Sequence, residues 1–256
     1  MVRQVALVTG SSRGIGEGIA QALAKAGFDV AVNAEVDTPE LWATVEQLGA
    51  LGIRAAGYVA DVSDIRAHGR LLGDVEAELG PLTTLVNNAG VSVLARGDML
   101  DVSPESFDRC LSVNTRAVFF LTQSFVRRLL SRDREPGAHY SLINISSANA
   151  IAAGTTRVEY CVSKAAVSMI TKCFAVRLGS EGVTVYEIQP GIIETNMTRP
   201  VLQGYQQRIA DGLTLTPRVG TPEDVGSIAT AMATGRLAYC TGLTVAADGG
   251  LLVPRF

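Results

Sequence analysis

Short apolar runs alternate with stretches of helical period along the whole chain, and this alternation limits the fold more than any other feature. Val5-Ala6-Leu7-Val8 has no helical period and is closed by Thr9-Gly10, as in a buried strand. Ile15, Ile19, Ala22, Leu23 and Ala26 then recur at helical spacing up to Gly27. The next elements are a strand at Val30 to Val32, a helix opening at Pro39, and a strand from Ala55 to Ala60 ending at Asp61. A helix from about 64 to 79 is closed by Gly80-Pro81, and a strand from Leu82 to Val86 leads into Asn87-Asn88-Ala89-Gly90. Ser103-Pro104-Glu105 starts a long helix reaching about Leu130. A strand from Tyr140 to Ile145 ends at Ser146-Ser147, and the helix of Tyr160 runs to about Gly179. A sixth strand, Val183 to Ile188, stops at Pro190-Gly191. A last helix opens at Pro222, and Thr241 to Ala246 forms a seventh strand before Asp248-Gly249-Gly250.

This order predicts an α/β fold over residues 1–256. It is a single-domain, Rossmann-like, doubly wound parallel sheet of about seven strands with helices on both faces. Ligands in such sheets bind beyond the carboxyl ends of the strands. Thr9-Gly10, Asp61, Asn87 to Gly90, Ser147 and Pro190-Gly191 then share one rim. Residues 196–218 carry no clear strand, and a stretch of that length inside a compact domain is expected to be a substrate lid. The net charge of -3 argues against nucleic acid or an anionic membrane as partner. No signal peptide and no membrane span is expected. The four cysteines have no paired spacing, so they are expected to be reduced thiols in a cytoplasmic protein. With two histidines in all, no metal site is expected.

The first strand-to-helix turn reads Thr9-Gly10-Ser11-Ser12-Arg13-Gly14-Ile15-Gly16. Three glycines let backbone amides approach a ligand, and the helix start offers free amides and a positive dipole end to phosphates. The turn also matches a Gly-x-Ser-x-Gly nucleophile elbow at Gly10-Ser11-Ser12-Arg13-Gly14. A serine hydrolase is the rival reading. It places poorly, because only nine residues precede Gly10 to build an oxyanion hole and His139 would have to complete the triad.

Tyr160 and Lys164 lie four residues apart, on one face of a helix. At ~4 Å and an effective dielectric of about 20, an ammonium favours a phenolate by on the order of 4 kcal/mol. That would bring a tyrosine from about 10 toward about 7, where it can give and take a proton at neutral pH. The pair alone also fits a surface helix with a lysine reaching to solvent.

Together these motifs resemble the short-chain dehydrogenase/reductase family. The residues that carry the resemblance are Thr9-Gly10-x-x-x-Gly14-Ile15-Gly16, Asp61-Val62, Asn87-Asn88-Ala89-Gly90, Asn114, Ser147, Tyr160-x-x-x-Lys164, and Pro190-Gly191 with Thr195. The nearest branch resembles the 3-oxoacyl-[acyl-carrier-protein] reductases. The resemblance implies that Tyr160 is the acid/base, that Lys164 assists it and holds the nicotinamide ribose, and that Ser147 binds the substrate oxygen. It implies that Asn114 holds a proton-relaying water. It also implies cofactor contacts from Gly10, Ser12, Arg13, Gly14, Ile15, Gly16, Asp61, Val62, Asn88, Ala89, Gly90, Tyr160, Lys164, Pro190, Gly191, Ile193 and Thr195. Tetramers or dimers built on the long helices follow from the same resemblance. With all four catalytic positions filled, a non-enzymatic cofactor-binding sensor is the weaker reading.

An acid at the end of the second strand selects NAD, and by register with the family that position is Ala34. With Arg13 near a 2′-phosphate, NADP(H) is the expected cofactor. NAD(H) stays open because Glu35 and Asp37 follow. The expected substrate is a small-molecule carbonyl or alcohol, either a 3-oxoacyl thioester on a carrier or another small ketone, sugar or alcohol. Three features depart from the carrier type: Glu181 on the rim, Tyr186 before Pro190-Gly191, and Arg157-Val158-Glu159 crowding charge ahead of Tyr160. Arg127, Arg128, Arg132 and Arg134 are the one basic cluster available to an acidic carrier. Met197, Val201, Leu202 and Tyr205 give the lid an apolar lining, which suits a substrate with an apolar part.

Overall fold

The computed structural model describes residues 3–255. Seven strands form one parallel sheet in the order β3-β2-β1-β4-β5-β6-β7. They are β1 (Val5–Val8), β2 (Asp29–Ala34), β3 (Ala55–Val59), β4 (Thr84–Asn87), β5 (Tyr140–Ile145), β6 (Val183–Pro190) and β7 (Thr244–Ala247). The inner strands are buried on both faces, which is why they read as unbroken apolar runs. The strand order reverses between β1 and β4, so the crevice at their carboxyl ends is the natural ligand site.

One core layer packs α1 (Gly14–Lys25), α2 (Pro39–Gly49) and α8 (Pro222–Ala233) on the sheet, through Ile19, Leu23, Leu41, Leu48, Tyr186 and Val225. The opposite layer packs α3 (His68–Leu79), α5 (Val118–Leu130) and α6 (Val158–Leu178), through Leu72, Leu85, Phe125, Leu142, Leu178 and Val185. Tyr186, unexpected at its position, fills the first layer and donates its hydroxyl to the Leu237 carbonyl at 2.7 Å.

Three elements differ from the sequence expectation. The helix from Pro104 is not one regular helix. It runs as α4 (Pro104–Leu111), a π-helical segment (Ser112–Ala117) and α5. Residues 196–218 are not all loop, since they contain α7 (Leu202–Ala210). Only Ile209 of α7 is buried, so it shows no apolar stripe to read. The last strand begins at Thr244, because Thr241 and Gly242 still belong to a turn.

Candidate active site

The turn after β1 is shaped by backbone. Gly10 and Gly14 hold φ of +60° and +61°, where a side chain is strained. A Cβ on Gly16 would lie 2.4 Å from the Gly10 carbonyl oxygen and 2.5 Å from Asn88 Nδ2. Arg13 sits at the N-cap of α1, which has no side-chain cap. The first amides of α1 therefore lack a side-chain acceptor, an arrangement suited to a pyrophosphate. Thr195 faces the same turn, with its Cγ2 3.4 Å from where a Gly14 Cβ would stand. The turn thus leaves a glycine-lined cradle with free donors, and these residues fit a nicotinamide dinucleotide. Ile15 packs on the core below the turn, and the Ser12 carbonyl accepts a hydrogen bond from Thr44 at 3.2 Å.

Polar residues from two neighbouring strands hold the turn in place. Asn88 Nδ2 donates to the carbonyls of Thr9 and Gly10 at 2.8 and 3.0 Å. The amides of Asn88 and Ala89 both donate to Thr9 Oγ1 at 3.0 Å. Asn33 on β2 accepts from the Gly10 amide at 3.2 Å, and its own amide donates to Ser11 Oγ at 3.1 Å. Asn33 was not singled out in the sequence. An asparagine inside an apolar strand, one residue before the strand end, was the available signal.

The predicted centre assembles around the ends of β4, β5 and β6. Ser147 follows β5 and its Oγ accepts from the Asn149 amide at 3.1 Å. Tyr160 and Lys164 lie one turn apart on α6, with the ammonium 5.7 Å from the phenol ring centroid. Lys164 is buried and donates to the Ile145 carbonyl at 3.1 Å. A Cβ on Gly90 would stand 3.2 Å from Asn114 Oδ1 and 3.4 Å from Lys164 Nζ, so Gly90, Asn114 and Lys164 meet at one point. Asn114 lies in the π segment, fully buried. Its Oδ1 accepts from the Val91 amide at 2.8 Å, and its Nδ2 donates to the Val91 carbonyl at 3.0 Å and to Ser163 Oγ at 2.9 Å.

The remaining predicted residues sit on the same rim. The Gly191 backbone packs against Asp248, 2.7 Å from where its Cβ would be. Pro190 ends β6, Ile193 is buried and bridges to Gly220, and Thr195 binds Thr198. The Asp61 carboxylate accepts from the amide and hydroxyl of Ser63, both at 2.8 Å, while Val62 turns into the core.

The electrostatics correct the expectation for Tyr160. Burial pushes its phenol above the ordinary value, against a hydrogen bond from Ser147 and the nearby Arg157 cation. Lys164 is not among the groups that lower it, and its ammonium donates to the Ile145 carbonyl. Burial lowers Lys164 itself to about 8, against the opposing pull of Cys110 and Glu187.

Two charged features, Glu159 ahead of Tyr160 and the arginine cluster, are partly taken up by contacts within the fold. Glu159 is buried, not crowding Tyr160 from outside. It accepts from Ser106 Oγ at 2.6 Å and tips toward α4. Two of the four clustered arginines are paired within the fold, while Arg127 and Arg134 stay exposed. Arg128 pairs with Glu76 at 2.6 Å, Arg132 binds the same carboxylate, and Arg134 donates to the Glu181 carbonyl. Glu181 itself pairs with Arg177 at 2.9 Å.

The hydrolase reading fails on geometry. Ser12 follows the carboxyl end of β1, whereas His139 precedes the amino end of β5, where it binds Thr184 at 3.0 Å. The two stand at opposite ends of a parallel sheet. Among the described residues, no group of three or more His, Cys, Asp or Glu is placed to hold a metal, and no helix is long and apolar enough to cross a membrane.

A parallel sheet with a phosphate-ready turn at its switch point, and a Ser-Tyr-Lys constellation beside it, defines a nicotinamide-dependent oxidoreductase. The family comparison places it more narrowly. Residues 4–206 match the short chain dehydrogenase model, and the chain belongs to that family. It is 35% identical over 251 residues to the 2-dehydro-3-deoxy-D-gluconate 5-dehydrogenase of Dickeya dadantii, covering 97% of this chain and 95% of that one. It is 32% identical over 247 residues to a 3-oxoacyl-[acyl-carrier-protein] reductase of Staphylococcus aureus, covering 96% and 97%. Among solved structures, a 3-oxoacyl-[acyl-carrier protein] reductase from Brucella melitensis in complex with NAD superposes with TM-score 0.96 at 37% identity, covering all of both chains. An Agrobacterium tumefaciens structure with bound NADP superposes with TM-score 0.87 at 30% identity, covering 98% and 97%.

Proposed function

We propose that this enzyme interconverts a free small-molecule ketone and its secondary alcohol, with Ser147, Tyr160, Lys164 and Asn114 as the catalytic set. The observation that carries the reading is the convergence of Asn114, Lys164 and Gly90 at one point beside the Tyr160 helix. The bound nicotinamide supplies or accepts the hydride. Ser147 donates to the substrate oxygen as charge builds on it. Tyr160 gives that oxygen its proton in reduction and removes the proton in oxidation. A phenol raised by burial stays protonated at neutral pH, so Tyr160 carries its proton into the reducing direction. Lys164 holds the nicotinamide ribose and stabilises the phenolate that remains.

Cofactor contacts come from the turn Gly10 to Gly16, from Asp61 and Val62, from Asn88 to Gly90, and from Pro190 to Thr195. NADP(H) is the preferred cofactor in this reading. No carboxylate stands at Ala34, and Arg13 has no carboxylate partner among the described residues. A free rather than carrier-bound substrate is supported by Arg128 and Arg132, which are paired with Glu76 and so withdrawn from an acidic carrier. Residues 196–218, with half-buried Val201, Leu202 and Tyr205, form the lid over it. A homo-oligomer, tetramer or dimer, is supported by the apolar groove of about 550 Å³ between α5 and α6, which Phe119, Val126, Leu130 and Phe174 line.

A panel of ketones, sugars, hydroxy acids and 3-oxoacyl thioesters, followed by nicotinamide absorbance with both cofactors, tests this reading. Turnover of a free ketone with NADPH is expected, lost in Tyr160→Phe while the dinucleotide still binds. Undiminished turnover in that variant overturns the assignment. Turnover of carrier-bound thioesters alone overturns the free-substrate reading.

A further inference from the structure

The mechanism leaves one buried carboxylate unused. Glu187 lies in β6 with no solvent exposure. Strand alternation puts Val183, Val185 and Glu187 on one face, and Val183 and Val185 pack in the layer of α5 and α6. Glu187 therefore looks toward α6, the helix of Tyr160 and Lys164.

Four neutral donors converge on this carboxylate. Oε1 accepts from Ser146 Oγ, from Ser168 Oγ at 2.5 Å and from Gln189 Nε2 at 2.9 Å. Oε2 accepts from Thr244 Oγ1 at 3.0 Å. These donors come from the end of β5, from α6, from β6 itself and from β7. Two of them adjoin the proposed chemistry, since Ser146 precedes Ser147 and Ser168 lies one helical turn beyond Lys164. None of the four carries charge.

A carboxylate buried among neutral donors keeps its desolvation cost unless a cation lies near. The hydrogen-bond partners of Glu187 lead to Lys164: Ser168 lies one turn along α6 from Lys164, and Ser146 follows Ile145, whose carbonyl takes the Lys164 ammonium at 3.1 Å. The ammonium donates to the Ile145 carbonyl from β5 and lies by the Tyr160 ring from α6 and by Asn114 beside Gly90, while Cys110 from α4 and Glu187 from β6 act on it through charge alone. Of these, only Glu187 offers a carboxylate. Burial favours loss of the ammonium proton, and Cys110 and Glu187 oppose that loss; burial raises the Cys110 thiol, which leaves Glu187 as the carboxylate that does so.

We propose that Glu187 is a positioning residue. Its buried carboxylate, held by Ser146, Ser168, Gln189 and Thr244, is the counter-charge that keeps the Lys164 side chain an ammonium beneath Tyr160. Glu187 touches neither substrate nor cofactor and acts only through Lys164. The importance of that ammonium rests on the proposed function, but its presence in the free protein does not.

The chain has three lysines, Lys25, Lys164 and Lys172, so NMR of lysine-labelled protein without cofactor can follow Lys164 directly. In the wild type Lys164 is expected to titrate near 8. Glu187→Gln keeps the shape and removes the charge. It is expected to move that titration down by about one pH unit, and the alkaline limb of kcat/KM with it. Ser168→Ala removes one hydrogen bond and leaves the charge, so its titration should stay at the wild-type pH. If Glu187→Gln does not fold, Glu187→Asp, which keeps the charge but draws it back, should shift the titration by a smaller amount. A Lys164 titration unchanged in every folded Glu187 variant overturns the proposal. If Lys164 shifts as expected while Tyr160→Phe keeps full turnover, the counter-charge stands and the proposed function falls.

Discussion

Asn114 donates to Ser163 Oγ at 2.9 Å, and Ser163 is the residue before Lys164. A side chain in the π segment is thereby joined to the helix that carries the proposed proton donor. Asn114 also ties both backbone groups of Val91, just after the Asn87 to Gly90 turn. Asn114→Ala would remove one buried hydrogen bond, to Ser163, and two part-buried ones, to the Val91 backbone. Loss of about 1–3 kcal/mol is expected by denaturant titration, with turnover falling further than that stability loss explains. A variant with both wild-type stability and wild-type turnover would show that these bonds are dispensable.

Gly16 leaves no room for a side chain, since its Cβ would meet backbone at 2.4 Å. Gly16→Ala should push the turn apart and weaken dinucleotide binding by tenfold or more, read by quenching of Trp42 fluorescence or by calorimetry. Retained affinity would mean that the amides of this turn do not hold the phosphates.

The end of β2 tests cofactor choice. Ala34→Asp places a carboxylate that would accept a hydrogen bond from the 2′-hydroxyl of NAD and repel a 2′-phosphate. The ratio of kcat/KM for NADP over NAD should fall by at least tenfold. An unaltered ratio would shift attention to Glu35.

Asp224 caps α8 through the Thr221 backbone and pairs with Arg218 at 2.7 Å, and the Arg218 and Thr221 bonds lower its carboxyl to about 2. A depressed carboxyl contributes stability above its unfolded value near 3.8, and this is lost as pH falls through about 2. Asp224→Asn should cost about 1 kcal/mol at pH 7, the usual worth of a cap. That difference should close as pH drops from about 4 toward 2. A gap that is constant with pH would assign the effect to shape, not charge.

Most of the sheet was legible because its strands are buried on both faces and its helices carry apolar stripes. The glycine turn, Ser147, Tyr160 and Lys164 were legible because each follows a strand end or repeats at a helical spacing. What escaped reading depends on partners far along the chain. Glu187 meets Thr244 from 57 residues away, and Arg128 meets Glu76 from 52. Nothing near either residue announces the partner. Glu159 was legible as a charge but not as a direction, because only packing against α4 shows that it turns inward. Arg128 and Arg132 looked available for the same reason. Helix α7 escaped because a helix that buries one residue leaves no period behind.

The π segment at Ser112–Ala117 makes this helix one residue longer than its α-helical track requires. Deleting any one residue there would restore a regular register. It would also remove the local displacement of the backbone from which Asn114 reaches Val91 and Ser163. The surplus residue is therefore a ratchet on the lineage: deletions that would tidy the backbone cost the bonds Asn114 makes to Val91 and Ser163. Length in this one stretch should resist change even where its individual side chains drift.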